Sequence, residues 1–271
     1  MSRQRPIDSR RVQANFSGQA HLYDRYAQVQ KHVVERLLQL LSQQTSPQGV
    51  VLEVGTGTGG LTQRLTESYP AVQPIISDLA HGMTCLAAQR LPQALAVDGD
   101  AQDLPLIDGC CDLVLSTSVY QWVNDLPRAF AESARVLRPG GLFAFALFGE
   151  RTLFELREAH RRAVLEHGGR LTSHTLNFPD EVDCRESLES VGLTIQLLCS
   201  EDEIEYHADV PMVLRSLKAI GASNAARGRP RGLASRRVMQ RMMDLYDSQH
   251  RQDDGVPATY QVIYGIGRKP L

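Results

Sequence analysis

The spacing of hydrophobic residues along the chain changes near residue 49. Before this point apolar side chains recur three and four positions apart, which predicts a helical region over 8–46. After it, short apolar runs typical of buried parallel strands alternate with stretches at helical spacing. Strands are therefore predicted at 50–54, 75–78, 94–97, 111–116 and 142–147, and helices at 61–69, 83–91 and 126–136.

The alternation becomes less regular after residue 149. Helices are predicted at 152–167, 180–190 and over the region 210–249, and strands at 193–198 and 260–266. Residues 204–206 either extend the strand at 193–198 or form a separate edge strand. Because strands alternate with helices of this length, the pattern predicts an α/β fold of right-handed βαβ units, with a parallel sheet covered by helices on both faces.

Composition and charge narrow the class of protein. Of 271 residues, 42% are hydrophobic and 22% charged, with a net charge of −2, so we expect a soluble protein that is not a bulk nucleic-acid binder. No apolar stretch approaches the roughly 18 residues of a membrane span, and the arginines near the amino terminus precede no apolar run that would predict a secretory signal. The five cysteines lack C-x-x-C spacing and the eight histidines form no H-x-x-x-H pair. We therefore expect reduced thiols, no metal site and a cytoplasmic location.

One segment differs in charge from the rest of the chain. Residues 211–251 contain nine basic and two acidic residues, so this segment carries +7 while the remainder carries −9. Such an asymmetry is typical either of a solvated helical insertion or of a surface that selects an acidic partner.

A glycine-rich loop follows the first predicted strand and precedes a helix. It matches G-x-G-x-x-G at Gly55, Gly57 and Gly60, a pattern found in dinucleotide sites. It also matches acidic-x-Gly-x-Gly-x-Gly, with Glu53 before Gly55, Gly57 and Gly59. A carboxylate at the end of this strand is expected to point into the ligand crevice, where it would repel a pyrophosphate and attract a sulfonium or ammonium group. The second pattern therefore explains more of the residues.

Two further acidic residues stand at strand ends. Asp78 ends the second predicted strand, where a carboxylate can accept both hydroxyls of a ribose. Asp100 follows the third strand, where it can accept a hydrogen bond from the exocyclic amine of an adenine. Nicotinamide enzymes do not require this third acid, so the three acids together favour a pocket for adenosine and a cation.

Residues 48–148 resemble the class I S-adenosylmethionine-dependent methyltransferases. The loop 53–59, Asp78, Asp100-Ala101, the strand 111–116 and Arg138-Pro139-Gly140-Gly141 each resemble a motif of that family. The resemblance implies a Rossmann-like, doubly wound sheet of seven strands, with the last one antiparallel, and S-adenosyl-L-methionine as co-substrate without a metal. It implies cofactor contacts from Tyr23, Glu53, Gly55, Thr56, Gly57, Gly59, Asp78, Leu79, Met83, Asp100, Ala101 and Ser116.

The flanking segments are similar to the biotin-synthesis malonyl-acyl-carrier-protein O-methyltransferases. The matching residues are Phe16-Ser17, Ala20, Tyr23-Asp24, Gln121-Trp122-Val123, Glu155-Leu156, Ala159, Ser216-Leu217-Lys218, Ile220-Gly221-Ala222 and Thr259-Tyr260. The resemblance implies one domain over 1–271. It comprises a helical preface (8–46), a cofactor-binding core (48–148), segments that complete the sheet (150–208 and 252–271) and a helical lid insertion (209–251). The long arginine-rich stretch within the insertion departs from the family pattern.

This resemblance implies an enzyme that methylates the free carboxylate of malonyl-acyl-carrier protein to its methyl ester. A carboxylate is ionised at neutral pH, so no general base is expected, and Tyr23, Gln121 and Lys218 are candidates for positioning the substrate. Trp122 is expected to pack in the core. The carrier protein would dock on Arg229, Arg236 and Arg237. Three alternatives stay open: another small-molecule methyltransferase, a non-methylating S-adenosylmethionine-binding assembly factor, and a nicotinamide oxidoreductase.

Overall fold

The computed structural model describes residues 7–169, 178–220 and 236–271. Its helices are α1 (Ser9–Tyr26), α2 (Gln28–Ser42), α3 (Gly60–Ser68), α4 (His81–Arg90), α5 (Leu126–Val136), α6 (Phe154–Glu166), α7 (Glu181–Ser190), α8 (Val210–Ala219) and α9 (Arg236–His250). Its strands are β1 (Gly49–Val54), β2 (Val72–Asp78), β3 (Leu95–Asp98), β4 (Cys111–Thr117), β5 (Leu137–Phe148), β6 (Thr194–His207) and β7 (Val256–Arg268). A 3-10 turn, Tyr120–Trp122, follows β4. No helix in these ranges is long and apolar enough to cross a membrane.

Within the described residues the strands form one sheet in the order β3-β2-β1-β4-β5-β7-β6. Strands β1 to β5 are parallel, and β7 lies antiparallel between β5 and β6. The predicted fold class, a seven-stranded, mostly parallel sheet with an antiparallel last strand, is confirmed. Strands β2 and β3 lie on one side of β1, and β4 and β5 lie on the other. The gap between β1 and β4 is therefore the topological switch point, where such folds bind ligands.

The central strands are apolar because both of their faces are covered. In β5, Phe143 and Phe145 face one side and pack edge-to-face or tilted against Tyr120 and Phe130, with ring centroids 4.8–6.3 Å apart. Alternate residues of β5 face the other side, where they join a core that includes helix α2. Gly265 on β7 makes room for the Phe145 ring, since a Cβ there would lie 2.3 Å from Cζ of that ring. The apolar runs thus form the buried centre of the sheet, and the carboxyl ends of its parallel strands lie together at one edge.

The structure defines three of the predicted elements more closely. The helical preface is two helices that break at Ala27, a buried residue with non-helical torsion angles (φ −85°, ψ 51°). Residues 204–206 continue β6, because that strand pairs with β7 as far as His207. The fifth strand, predicted at 142–147, begins earlier and includes the motif 138–141, because Leu137 already pairs with Cys111 before a shift of register.

The helices of the predicted lid insertion are anchored in the protein. Val210 and Val213 of α8 are buried in the main core, as are three residues of α9: Met242, Leu245 and Tyr246. The Tyr246 hydroxyl donates a hydrogen bond of 2.6 Å to the carbonyl of Pro257. Residues 221–235, which include Arg229, lie outside the described residues.

Candidate functional site

A crevice with an empty volume of about 730 Å³ lies at the carboxyl ends of β1 to β4. Its floor and one wall come from the loops that follow these strands, and its roof comes from α1. Its lining residues are Ser9, Val12, Phe16, Val54, Gly55, Gly57, Asp78, Leu79, Met83, Gly99, Asp100, Ala101, Gln102, Thr117, Ser118, Val119, Trp122 and Val123. Seven of the residues predicted to contact a cofactor therefore share one crevice: Gly55, Gly57, Asp78, Leu79, Met83, Asp100 and Ala101.

The glycine loop is shaped by backbone torsion angles that side chains disfavour. Gly55 has a φ of +72°, and a Cβ on it would lie 2.0 Å from Cγ2 of Val119, which follows β4. The loop is tied to β2 by its backbone, since the N–H of Gly55 donates to the Ser77 carbonyl at 2.7 Å. Glycine at position 55 therefore allows Val119 to pack directly against the loop at the end of β1.

The side chain of Asp78 holds the glycine loop by accepting a hydrogen bond from its backbone. Its Oδ2 accepts the N–H of Gly57 at 2.9 Å, and its Oδ1 accepts the N–H of Ala80 at 2.8 Å. Burial raises the pKa of Asp78 above its ordinary value, while these two hydrogen bonds act in the opposite direction. A carboxylate has about four acceptor sites, so Asp78 can still accept two hydroxyl groups from the crevice.

Asp100 lies at the other end of the crevice. Its Oδ1 accepts the backbone N–H of Gln102 at 2.9 Å. The side-chain oxygen of Gln102 in turn accepts the N–H groups of Asn124 and Asp125, at 3.1 and 2.9 Å. This network, which the sequence motifs did not reveal, fixes the loop after β3 against the segment after β4.

Helix α1, which carries the predicted contact residue Tyr23, covers the crevice with Ser9, Val12 and Phe16. Phe16 from α1 and Trp122 from the 3-10 turn stack edge-to-face on its wall, with ring centroids 5.6 Å apart. Trp122 is half-buried: it packs against the small apolar cluster of Ile7 and Val12, as its assignment to the core predicts, and it also lines the crevice. The backbone of Ile7, just before α1, exchanges two hydrogen bonds with the side chain of Asn124, which holds this cover in place.

Glu53 does not project into the crevice as expected. Its side chain is 2% exposed and turns toward the start of α3, where its Oε2 accepts hydrogen bonds from the hydroxyls of Thr56 and Thr62 and from the Thr62 N–H at 3.1 Å. The physical reason is that the first turn of α3 offers free donors that a buried carboxylate needs. Burial nevertheless raises the pKa of Glu53 to about 7.

A second cavity, with an empty volume of about 520 Å³, lies behind the glycine loop. Glu53 lies on its wall, and the cavity shares Gly55, Gly57 and Thr117 with the crevice. The full lining is Ala27, Gln30, Lys31, Val34, Glu53, Gly55, Thr56, Gly57, Thr58, Gly60, Leu61, Arg64 and Thr117. The two spaces are therefore separated only by the loop.

Replacing Glu53 by glutamine is expected to change how stability depends on pH. The pKa of Glu53 is about 7 in the folded protein and 4.5 when unperturbed, so its contribution is fully present below about pH 4.5 and is lost as the pH rises to about 7. Between about pH 5 and 8, the free energy of unfolding of the wild-type protein should fall by on the order of 2 kcal/mol more than that of Glu53→Gln. Urea unfolding without ligand measures this difference. If the free energy of unfolding changed equally with pH in the two proteins, Glu53 would already be ionised at pH 5 in the folded state.

Two predicted contact residues lie beside the crevice as part of its support. Gly59, with a φ of +86°, precedes the first turn of α3, and a Cβ there would lie 3.3 Å from Cβ of Ala87. Ser116 is buried, and its hydroxyl donates to the Val54 carbonyl at 2.9 Å.

The three candidates for positioning a substrate occupy different places. Gln121 is 3% exposed, and its Oε1 has no hydrogen-bond partner among the described residues. Lys218 is exposed on α8. Tyr23 belongs to α1, but its side chain lies outside the described residues. In the part of the chain that the structure describes, no three His, Cys, Asp or Glu side chains cluster as metal ligands would.

Comparison with known proteins identifies the family. Residues 52–145 match the model of a methyltransferase domain. A malonyl-[acyl-carrier protein] O-methyltransferase from Geobacter sulfurreducens is 47% identical over 268 residues, covering 97% of this chain and 100% of the relative. The chain belongs to the malonyl-[acyl-carrier protein] O-methyltransferase family. A member from Nitrosospira multiformis is 37% identical, with 97% of this chain and 90% of that protein covered.

One relative carries a second activity in its name. The biotin biosynthesis bifunctional protein BioHC from Teredinibacter turnerae is 34% identical, and the match covers 97% of this chain but 47% of that protein. The match therefore spans about half the length of this relative, against 90–100% of the two members named above.

Solved structures show that the fold is shared more widely than the family. The YcgJ protein from Bacillus subtilis superposes with a TM-score of 0.60 at 16% identity, covering 88% of this chain and 99% of that one. Phosphoethanolamine N-methyltransferase 2 from Haemonchus contortus, in complex with S-adenosyl-L-methionine, gives 0.53 at 18% identity, covering 88% and 53%. At these identities the likeness concerns the fold alone.

Proposed function

We propose that the protein is an S-adenosyl-L-methionine-dependent O-methyltransferase of biotin biosynthesis that converts the free carboxylate of malonyl-acyl-carrier protein to its methyl ester. The observation that carries this proposal is the full-length similarity to malonyl-[acyl-carrier protein] O-methyltransferases, of which one is 47% identical over its whole length. The geometry of the crevice agrees with a methyl donor of this type.

The crevice offers the groups that an adenosine needs. Asp78, with free acceptor sites at the end of β2, would accept the ribose hydroxyls, and Asp100 would accept the adenine amine. Leu79 and Met83 supply apolar surface beside them. Gly55 and Gly57 border both the crevice and the cavity that contains Glu53, so a ligand chain would pass along this loop toward Glu53. When bound, S-adenosyl-L-methionine supplies a methyl group on a positively charged sulfur.

The protein needs no proton-transfer residue for this reaction. A free carboxylic acid has a pKa of about 4, so the malonyl group is already a nucleophile at neutral pH. The task left to the chain is to align a carboxylate oxygen with the methyl carbon and to keep water away, and such alignment lowers a barrier by roughly 7–11 kcal/mol. The aromatic rings of Phe16 and Trp122 form an apolar wall of the crevice that would exclude water. The side-chain N–H groups of Gln121, which can donate to a carboxylate or carbonyl oxygen, would orient the methyl-accepting substrate together with Tyr23 and Lys218.

Carrier proteins that hold acyl groups are acidic, and the basic segment 211–251 would receive one. Arg236 and Arg237 begin α9 and are exposed, whereas Arg241 on the same helix is paired with Glu166 at 2.5 Å. Because α9 is anchored in the core, its exposed arginines form a fixed surface. Arg229 lies outside the described residues and remains part of the proposal by its charge.

Incubation with labelled methyl donor tests the function directly. Pure protein, S-adenosyl-L-methionine carrying a labelled methyl group, and malonyl-carrier protein should give a labelled malonyl methyl ester. Acetyl-carrier protein, which lacks the free carboxylate, is the matched control and should remain unlabelled. Binding of the methyl donor without any transfer would favour an assembly factor, and binding of NADH in place of S-adenosylhomocysteine would contradict the proposal.

Salt should weaken the reaction with the carrier protein more than the reaction with a small thioester. Charge complementarity chiefly raises association rates, so kcat/KM for malonyl-carrier protein should fall roughly 3- to 10-fold between about 50 and 300 mM salt. The triple variant Arg229→Glu, Arg236→Glu, Arg237→Glu should show a comparable loss at low salt. Malonyl-coenzyme A, which needs the crevice but not the docking surface, serves as the control substrate. Equal losses for both substrates would instead assign these arginines to the substrate pocket or to folding.

A further inference from the structure

The cavity behind the glycine loop has a wall that the proposed adenosine contacts do not use. This wall is the start of helix α2, which contributes Ala27, Gln30 and Lys31. The cavity shares Gly55 and Gly57 with the crevice, so a ligand in the crevice can extend past the loop into it. The residues of α2 would then meet a part of the ligand that lies beyond the adenosine.

Lys31 is the cation of this wall that lacks a carboxylate partner. Among the described residues no carboxylate oxygen lies within 4.0 Å of its ammonium group. Its charged neighbours on α2 are engaged, since Arg36 pairs with Glu201 at 2.6 Å and Glu35 pairs with Arg64. Arg64 is the other cation on the cavity wall. A half-buried lysine that lines a cavity and has no counter-ion among the described residues is suited to an anionic ligand group.

The surroundings of Lys31 add to this preference. Helix α2 begins after Ala27 without a side-chain cap and has no acidic residue in its first turn, so its partial positive charge is not neutralised. Gln30, also on the wall, offers amide donors. Glu53 lies on the same cavity wall but is turned away toward Thr62, which satisfies its carboxylate. These features favour an anion at the α2 side of the cavity.

We propose that this cavity is a carboxylate subsite and that Lys31 binds the carboxylate through its ammonium group. The inference rests on the proposed function, because it takes its ligand from that reaction. Two carboxylates are available there: the one in the amino-acid end of S-adenosyl-L-methionine and the one on the malonyl group. Both would make the same charge-assisted hydrogen bond, so binding measurements must separate them.

The test compares Lys31→Gln with Lys31→Arg and with the matched control Arg161→Gln. Arg161 is an exposed arginine on α6, so its replacement removes one positive charge away from the cavity. Calorimetry measures the affinity for S-adenosylhomocysteine and for 5′-methylthioadenosine, which has the same nucleoside but no amino-acid end. Steady-state kinetics measure KM for a malonyl thioester. Thermal unfolding checks that each variant is folded.

Loss of a charge-assisted bond should lower affinity roughly 10- to 100-fold. If Lys31 binds the methyl donor, Lys31→Gln weakens S-adenosylhomocysteine by this factor and leaves 5′-methylthioadenosine unchanged. If it binds the acceptor, both affinities stay constant and KM for the malonyl thioester rises by this factor. In either case Lys31→Arg restores most of the loss and Arg161→Gln behaves as wild type.

Two results would overturn the inference. One is an unchanged affinity for S-adenosylhomocysteine together with an unchanged KM in Lys31→Gln. The other is an equal loss for S-adenosylhomocysteine and 5′-methylthioadenosine, which would mean that Lys31 only supports the shape of the site. The binding measurements require no methyl transfer. A wild-type protein that binds S-adenosylhomocysteine but does not methylate malonyl thioesters would therefore disprove the proposed function while leaving the donor half of the inference testable.

Discussion

Gly55→Ala is expected to lower the affinity for S-adenosylhomocysteine and kcat/KM by at least about 100-fold. A Cβ at this position would lie 2.0 Å from Cγ2 and 3.0 Å from Cγ1 of Val119, so the loop or the crevice wall must move by an amount that disrupts binding. The positive φ adds strain of roughly 1–2 kcal/mol for any residue with a side chain. Calorimetry and the methyl-transfer assay measure the two losses.

Two comparisons separate the clash from the strain. Gly192→Ala has a similar φ, +75°, but its Cβ would meet no atom within 4 Å, so this control should lose some stability and retain activity. In the double variant Gly55→Ala, Val119→Ala the clashing methyl groups are absent, and part of the affinity should return. If Gly55→Ala binds as well as wild type, the contact between position 55 and Val119 does not determine the shape of the crevice.

Asp78→Asn should reduce the affinity for S-adenosylhomocysteine by roughly 100-fold, since two hydrogen bonds to a charged acceptor are weakened together. The substitution also places an amide N–H₂ against the N–H of Gly57 or of Ala80, so the loop loses one of its supports. Calorimetry measures the affinity, and thermal unfolding measures how much stability the protein loses with this hydrogen bond.

Asp98→Asn is the matched control for Asp78→Asn. Asp98 is the register partner of Asp78 on β3, but its carboxylate is half-exposed and pairs with His81 at 2.7 Å. Removing this charge should leave the affinity within about twofold, because exposed ion pairs contribute little. Comparable losses in the two variants would show that the negative field of the strand ends, and not contact with Asp78, determines binding.

Much of the fold follows from local signals in the sequence. Strands such as β1, β4 and β5 are buried on both faces, so their continuous apolar runs are unambiguous. The break at Ala27 carries no such signal, because alanine favours helix and neither glycine nor proline stands nearby. In β6 exposed and half-buried residues alternate, and its outer half is fixed only by pairing with β7. Long-range pairing of this kind cannot be read from one segment.

The position of the candidate site could be predicted from the sequence, but the orientation of its side chains could not. The strand-end rule correctly brought Asp78 and Asp100 to one crevice, because parallel strands end at the same edge of the sheet. The same rule does not say where a side chain turns, and Glu53 is captured by Thr62, nine residues later. The contribution of Phe16 depends on how α1 crosses the sheet, which no motif encodes.

The helical insertion between β6 and β7 leaves and re-enters the sheet at one place. His207 and Val256 are register partners at the end of the two strands, and Gly255 approaches so closely that a Cβ there would lie 2.3 Å from the His207 carbonyl. The ends of the insertion are thus held together by strand pairing, whatever the length of chain between them. The length and composition of this segment can therefore change without moving the strand that carries Asp78 or the loop that carries Asp100.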